Sequence, residues 1–168
     1  MKRFFKTLNI LPVVGLLLAL SLLSTSCEQK NYEPNTNVAP GGGTLSAYKA
    51  YTLTSANGQT IYGRVVFYKY SASVTLVQIG LYNTTTTASY AASIYQGKLA
   101  TGSTTALKPL DTVSGTTGEF ASNKYFTINE AGFYDKLGSY DANVRVMLGT
   151  TMVASGNIGV NATPVAQG

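Results

Sequence analysis

Beyond Gly43 the chain is cut into short runs of Val, Ile, Tyr, Thr and Phe, and nearly every run meets a turn signal before it reaches helical length. That punctuation limits the chain to short strands with tight connections. Residues 45–53 read as a first strand, and Asn57-Gly58 after them is a hairpin signal, since both residues tolerate positive φ. Strands are expected over 60–70, 74–82 and 90–96. The stretch from Gly97 to Gly118 is mostly connection, with a short strand near 110–113. A further strand is expected over 120–128. Residues 129–137 allow one short helical turn, stopped by Gly138, and 140–148 with 152–160 make a closing hairpin. Helix formers such as Glu, Lys and Gln are sparse. The pattern predicts an all-β fold, a Greek-key or immunoglobulin-like β-sandwich of about 7–8 strands.

The start of the chain obeys different rules. Lys2, Arg3 and Lys6 precede an apolar run, Leu11 to Leu23, and small residues Ser24, Thr25 and Ser26 lead to Cys27, the single cysteine. The run is shorter than the roughly 20 residues of a membrane span and fits the apolar region of a secretory signal. Small residues followed by one cysteine resemble the lipobox of bacterial lipoproteins. The resemblance implies a signal peptide over 1–26, cleavage before Cys27, a diacylglycerol thioether on its sulfur and acylation (palmitate or similar) of the new N-terminus. No second cysteine is present to pair with Cys27. The resemblance thus implies a membrane partner through an N-terminal lipid anchor. Glu28 rather than aspartate follows the cysteine, which points to the outer membrane, with the domain periplasmic or surface-exposed.

Lys and Arg number 12 and Asp and Glu 7, a net charge of +5. The first 26 residues hold three of the cations, leaving nine against seven, or +2. No Lys or Arg run survives beyond them, so a nucleic-acid partner is not expected. Residues 27–43 are polar, carry two prolines and end in three glycines, the composition of a flexible tether. Residues 44–168 are long enough for one domain with a core of its own.

Within that domain come a Gly63-x-Val65-x-Phe67 strand, the strand Val74-Thr-Leu-Val-Gln-Ile-Gly-Leu81, then Tyr90-Ala-Ala-Ser-Ile-Tyr-Gln-Gly97 and a Gly-rich connection. The segment Tyr140 to Gly159 closes the series. Over residues 60–161 this order resembles the CHRD domain, itself similar to the Cu/Zn superoxide dismutase sandwich. The resemblance places Ser93 and Tyr95 where that family carries paired metal-binding imidazoles, and Arg145 where another histidine falls. This chain has no histidine. Copper and zinc prefer imidazole or thiolate, so neither a metal nor another cofactor is expected, and a dismutase activity is not. Mechanisms that need an imidazole base fail likewise.

Other catalytic patterns are thin. Ser46-x-x-Lys49 matches the serine–lysine motif, but in a strand positions three apart point to opposite faces. Glu119 with Glu130 is the carboxylate pair that a glycan-active enzyme would use, set against ordinary solvated carboxylates. Glu130, Asp135, Asp141 and Asn143 offer oxygens to calcium without the dense acidic loop such sites need. Gly41 to Gly43 precede no phosphate-binding lysine.

The tyrosines remain. Eleven of 12 lie beyond residue 44, and there is no Trp. Tyr62, Tyr68 and Tyr70 share one strand face, an aromatic surface that could stack on sugars or pack on a partner. Tyrosine also fills half-buried strand positions simply because β-propensity favours it. Asp111-Thr112-Val113 resembles a short O-glycosylation signal of exported bacterial proteins, which implies modification of Thr112. The expectation is a non-catalytic envelope module that contacts protein or glycan, with a carboxylate-dependent glycan-active enzyme as the alternative.

Overall fold

A computed structural model describes residues 45–166. The signal segment 1–26, Cys27 and the linker 27–43 lie outside the described residues. Among the described residues eight strands form: β1 Tyr48–Ser55, β2 Tyr62–Lys69, β3 Val74–Tyr82, β4 Ser89–Gln96, β5 Ala106–Ser114, β6 Phe126–Asn129, β7 Asp141–Leu148 and β8 Thr151–Gly159. A four-residue helix α1, Phe133–Lys136, and a 3-10 turn, Leu137–Ser139, link β6 to β7. Every pairing is antiparallel, and the strand order is β5-β4-β7-β8-β1-β2-β3-β6.

Alternation builds this sheet. In β3, Val77, Ile79 and Leu81 point inward and are buried; in β7, Ala142, Val144 and Val146 do the same. With Phe67, Tyr90, Ile94 and Ile158 they make one core between the two halves of the sheet. Each fully buried Val, Leu, Ile or Phe side chain contributes about 1.5–3 kcal/mol. Phe133, from α1, closes one end of the core, with its ring 6.2 Å from that of Phe67 and 5.2 Å from that of Tyr140.

The two halves share a corner. β1 pairs with β2 from Tyr48↔Tyr68 to Leu53↔Gly63, but with β8 only at Thr54↔Ser155 and Ser55↔Ala154. Gly156 permits this close crossing, because a Cβ there would stand 2.1 Å from the Thr52 carbonyl oxygen. On the opposite side β5 and β6 are not paired strands. That seam is held by the Val113↔Phe120 bridge, by the Ala121 amide donating to the Thr112 carbonyl at 2.8 Å, and by a Lys108–Glu130 ion pair at 3.4 Å. The sheet is thus a near-barrel, open along one seam.

The expected hairpins form. The Gln59 amide donates to the Ala56 carbonyl at 2.9 Å across Asn57 (φ 50°) and Gly58 (φ 71°), both left-handed as a type I′ turn requires. Two strands differ most, and β1 runs Tyr48–Ser55 rather than over 45–53. β5 extends over Ala106–Ser114 although Pro109 lies inside it, because an edge strand tolerates a residue with no N–H to give. The strand expected over 120–128 begins only at Phe126; Phe120 contributes one bridge and a buried ring, and polar residues 122–124 interrupt the run.

Candidate functional site: an aromatic face on β1, β2, β3 and β6

The core takes Gly63, Val65 and Phe67 of β2, so Tyr62, Arg64, Val66 and Tyr68 face outward. Register then fixes their neighbours. Tyr62 stands opposite Tyr82, Arg64 opposite Gly80, Val66 opposite Gln78 and Tyr68 opposite Leu76 on β3. On β1, Tyr68 meets Tyr48 and Val66 meets Ala50. The ring centroids of Tyr48 and Tyr68 are 6.3 Å apart, and those of Tyr68 and Tyr125 5.8 Å in an edge-on arrangement.

Of the three tyrosines expected to form a surface, Tyr62 and Tyr70 are exposed, at 47% and 44%, but Tyr68 is only 3% exposed. Strand parity places Tyr68 on the outer face as expected. It is buried there because this face carries a second apolar cluster, in which Leu45, Ala50, Val66, Tyr68 and Leu76 pack with Val74 and Tyr125. Its hydroxyl contacts Gln78 Oε1 at 3.1 Å. Tyr62 and Tyr70 therefore mark opposite ends of the face, with Tyr68 as the floor between them.

Each end has structure of its own. At one, the rings of Tyr62 and Tyr82 lie 5.3 Å apart at 31°, beside Arg64 and Gly80. At the other is a groove of about 560 Å³ lined by Tyr70, Val74, Leu76, Asn123, Lys124, Tyr125, Thr127 and Asn129. Val74 and Leu76 form its apolar base, with Asn129 and Thr127 directly across from them on β6. The Lys124 ammonium lies 5.5 Å from the Tyr125 ring centroid. Two phenol rings, two amides, one aliphatic hydroxyl and one cation make a lining suited to a polyhydroxylated ligand with apolar faces. Tyr82 is legible from register, because counting back from the turn at 70–74 sets it against Tyr62. Tyr125 and Lys124 follow an irregular stretch and give no such signal.

The positions matched to histidines in the CHRD resemblance also come together. Ser93 and Arg145 are partners across β4 and β7, and Tyr95 is the partner of Asn143. The Arg145 guanidinium carbon stands 4.4 Å from the Tyr95 ring centroid, and its Nε donates to Asn143 Oδ1 at 2.9 Å. Asn143 is fully buried and gives its Nδ2 to the Gly97 carbonyl at 2.7 Å. A hydroxyl, a phenol and a fixed cation do not suit copper or zinc. Among the described residues no cluster of three His, Cys, Asp or Glu side chains forms.

The carboxylates are dispersed. Asp135 pairs with Lys69 at 2.6 Å, and Glu130 with Lys108 at 3.4 Å. Asp141 accepts from Asn161, and Asp111 accepts from the Thr112 and Ser122 amides at 2.8 and 3.2 Å. Glu119 sits beside Ser114, while Glu130 lies by Lys108 near the other end of β5. Six residues of strand separate those points by about 20 Å, whereas glycosidase carboxyl pairs stand about 5–9.5 Å apart. The Lys49 ammonium is engaged by the Tyr134 carbonyl at 3.2 Å and the Tyr134 ring at 4.8 Å, not by Ser46. Burial, and next the Glu130 carboxylate 3.5 Å from its hydroxyl, raise the Tyr140 phenol above its ordinary pKa.

Thr112 is exposed on edge strand β5, its amide held by the Asp111 side chain and its carbonyl by Ala121. Among the described residues no helix is long and apolar enough to cross a membrane. Comparison of the chain with protein-family models, with curated proteins and with solved structures finds no match.

Proposed function

We propose that the chain is a cell-envelope lipoprotein, anchored in the outer membrane through lipid on Cys27, whose domain is a non-catalytic module that binds glycan on its aromatic face. The observation that carries the binding reading is the groove between Tyr70 and Tyr125, where an apolar base lies beneath amide and hydroxyl groups. A sugar presents both chemistries at once, C–H faces for the rings and hydroxyls for the amides. The anchor rests on the sequence around Cys27, and the polar segment behind it would hold the module off the membrane.

Affinity electrophoresis of the purified protein through gels containing envelope and extracellular polysaccharides tests this. Retardation by at least one polysaccharide, weakened about two- to tenfold in Tyr70→Ala, is the expected result, because one lost ring contact is worth roughly 0.5–1.5 kcal/mol. Unretarded migration of the unaltered protein in every gel would overturn the reading.

A further inference from the structure

We infer that the ligand of this face is an acidic polysaccharide, carrying carboxylate groups along a chain that runs from the Lys124 groove over Gly80 to Arg64. The inference rests on the glycan reading above and adds the ligand's charge and extent.

Charge comes first. The outward positions of β1, β2, β3 and β6 include no Asp or Glu. The nearest carboxylate in sequence, Glu130, follows Asn129 but is turned to Lys108 and Tyr140. Asp135 is occupied by Lys69. Two cations stand on the face. Lys124 rests against the Tyr125 ring at the groove and has no carboxylate partner among the described residues. Arg64, the third residue of β2, is half-buried, with no ion-pair, ring or hydrogen-bond partner among the described residues. A partly desolvated guanidinium ordinarily carries a paired acceptor. An anionic ligand would supply it.

Shape gives the extent. Gly80 faces Arg64 across the β2–β3 pair, and a Cβ built on it meets nothing within 4 Å among the described residues. The outer surface is therefore low just where Arg64 can reach across it. Leu76, at the base of the groove, and Gly80 are four residues apart on β3, about 13 Å. A single sugar cannot touch both cations, whereas an extended polymer with repeated carboxylates can. The Tyr62–Tyr82 pair then bounds the far end of the track.

Calorimetric titration with polygalacturonate and with its fully methyl-esterified form tests the inference, because esterification removes charge and keeps the backbone. The unaltered protein is expected to bind the free acid at least about tenfold more tightly, with affinity falling as salt rises. Lys124→Gln and Arg64→Gln should each lose about fivefold, the worth of one exposed charge contact, while Lys98→Gln, away from this face, should bind normally. Gly80→Val adds atoms where the surface is open, so it should fold as before and bind the acid more weakly. Equal affinity for both polymers, or equal losses in Lys98→Gln, would overturn the acidic specificity and leave glycan binding standing. Binding of neutral polysaccharides alone would do the same. No binding to any polysaccharide would remove both readings.

Discussion

Arg145 lies over Tyr95, with its guanidinium carbon 4.4 Å from the ring centroid, and the residue across the ladder from it is Ser93. These are the three positions that the CHRD resemblance equates with imidazoles. On adjacent antiparallel strands, with Ser93 and Tyr95 two apart, all three share one face. The triple substitution Ser93→His, Tyr95→His and Arg145→His should therefore create a site for zinc or copper. Thermal melts with added Zn²⁺ should show a rise of several degrees in the triple variant and little change in the unaltered protein. If the variant folds but ignores zinc and copper alike, the alignment of these positions with the family is wrong.

In the unaltered chain the same contact is structural. Arg145→Ala should cost about 1 kcal/mol, the scale of a partly exposed cation–π contact together with its bond to Asn143. Asn143→Ala should cost more, about 2 kcal/mol, because it strands the Gly97 carbonyl. Urea midpoints of the two variants check the order; a larger loss in Arg145→Ala would contradict it.

Tyr51 is buried to 1% exposure, and among the described residues its hydroxyl has no hydrogen-bond partner of good geometry. Burial raises its pKa, partly offset by the Gly159 backbone amide; burial also raises Tyr134 and Tyr140. In the unfolded chain these phenols ionise near 10, so the stability they contribute is fully present below that pH and is lost as pH rises through their folded values. Unfolding free energy should fall steeply above about pH 10. Tyr51→Phe should flatten that fall and raise stability by about 1 kcal/mol at neutral pH, since an unsatisfied hydroxyl leaves the core. A destabilised Tyr51→Phe would show that the hydroxyl is satisfied after all.

Gly63→Ala should be the most damaging of these changes. Its Cβ would stand 1.9 Å from the Gly80 carbonyl oxygen, a backbone atom that cannot swing aside. Separating β2 from β3 there should cost more than about 2 kcal/mol. Gly80→Ala, on the facing strand, should cost well under 1 kcal/mol. Comparable losses at the two glycines would refute the asymmetry.

If the lipobox reading holds, Cys27→Ser leaves residues 1–26 attached and the sulfur site without lipid. Intact mass of protein extracted from membranes checks this. Acyl mass on a chain beginning at Cys27 is the expected outcome for the unaltered protein, and an unlipidated chain would sink the anchor.

The strand pattern is legible because burial on one side writes period two into the sequence. Val77, Ile79 and Leu81 fix β3 at the residues expected. The full length of β5 is not legible, because Pro109 masks an edge position that only the sheet order reveals. The burial of Tyr68 escapes the sequence for a similar reason. Parity says which way a side chain points, not that Leu45 and Tyr125 arrive from distant segments to cover it. Arg64 and Lys124 carry no signal in the sequence because the lack of a partner is a property of three-dimensional neighbours. The convergence of Ser93, Tyr95 and Arg145 is local to one strand pair and so follows from register alone.

The way β1 is held has a mechanical consequence. Its partner β2 runs antiparallel beside it over most of its length, and on the other edge the Val165 amide binds the Ala50 carbonyl at 2.8 Å. Tension entering the domain at Leu45 reaches this strand first. Where the pull runs along the strand axis, the rungs to β2 are loaded together in shear rather than unzipped in succession. Resistance to such a pull is set by the rate of unfolding rather than by its equilibrium. Under such an axial pull the domain would hold its shape through brief loads.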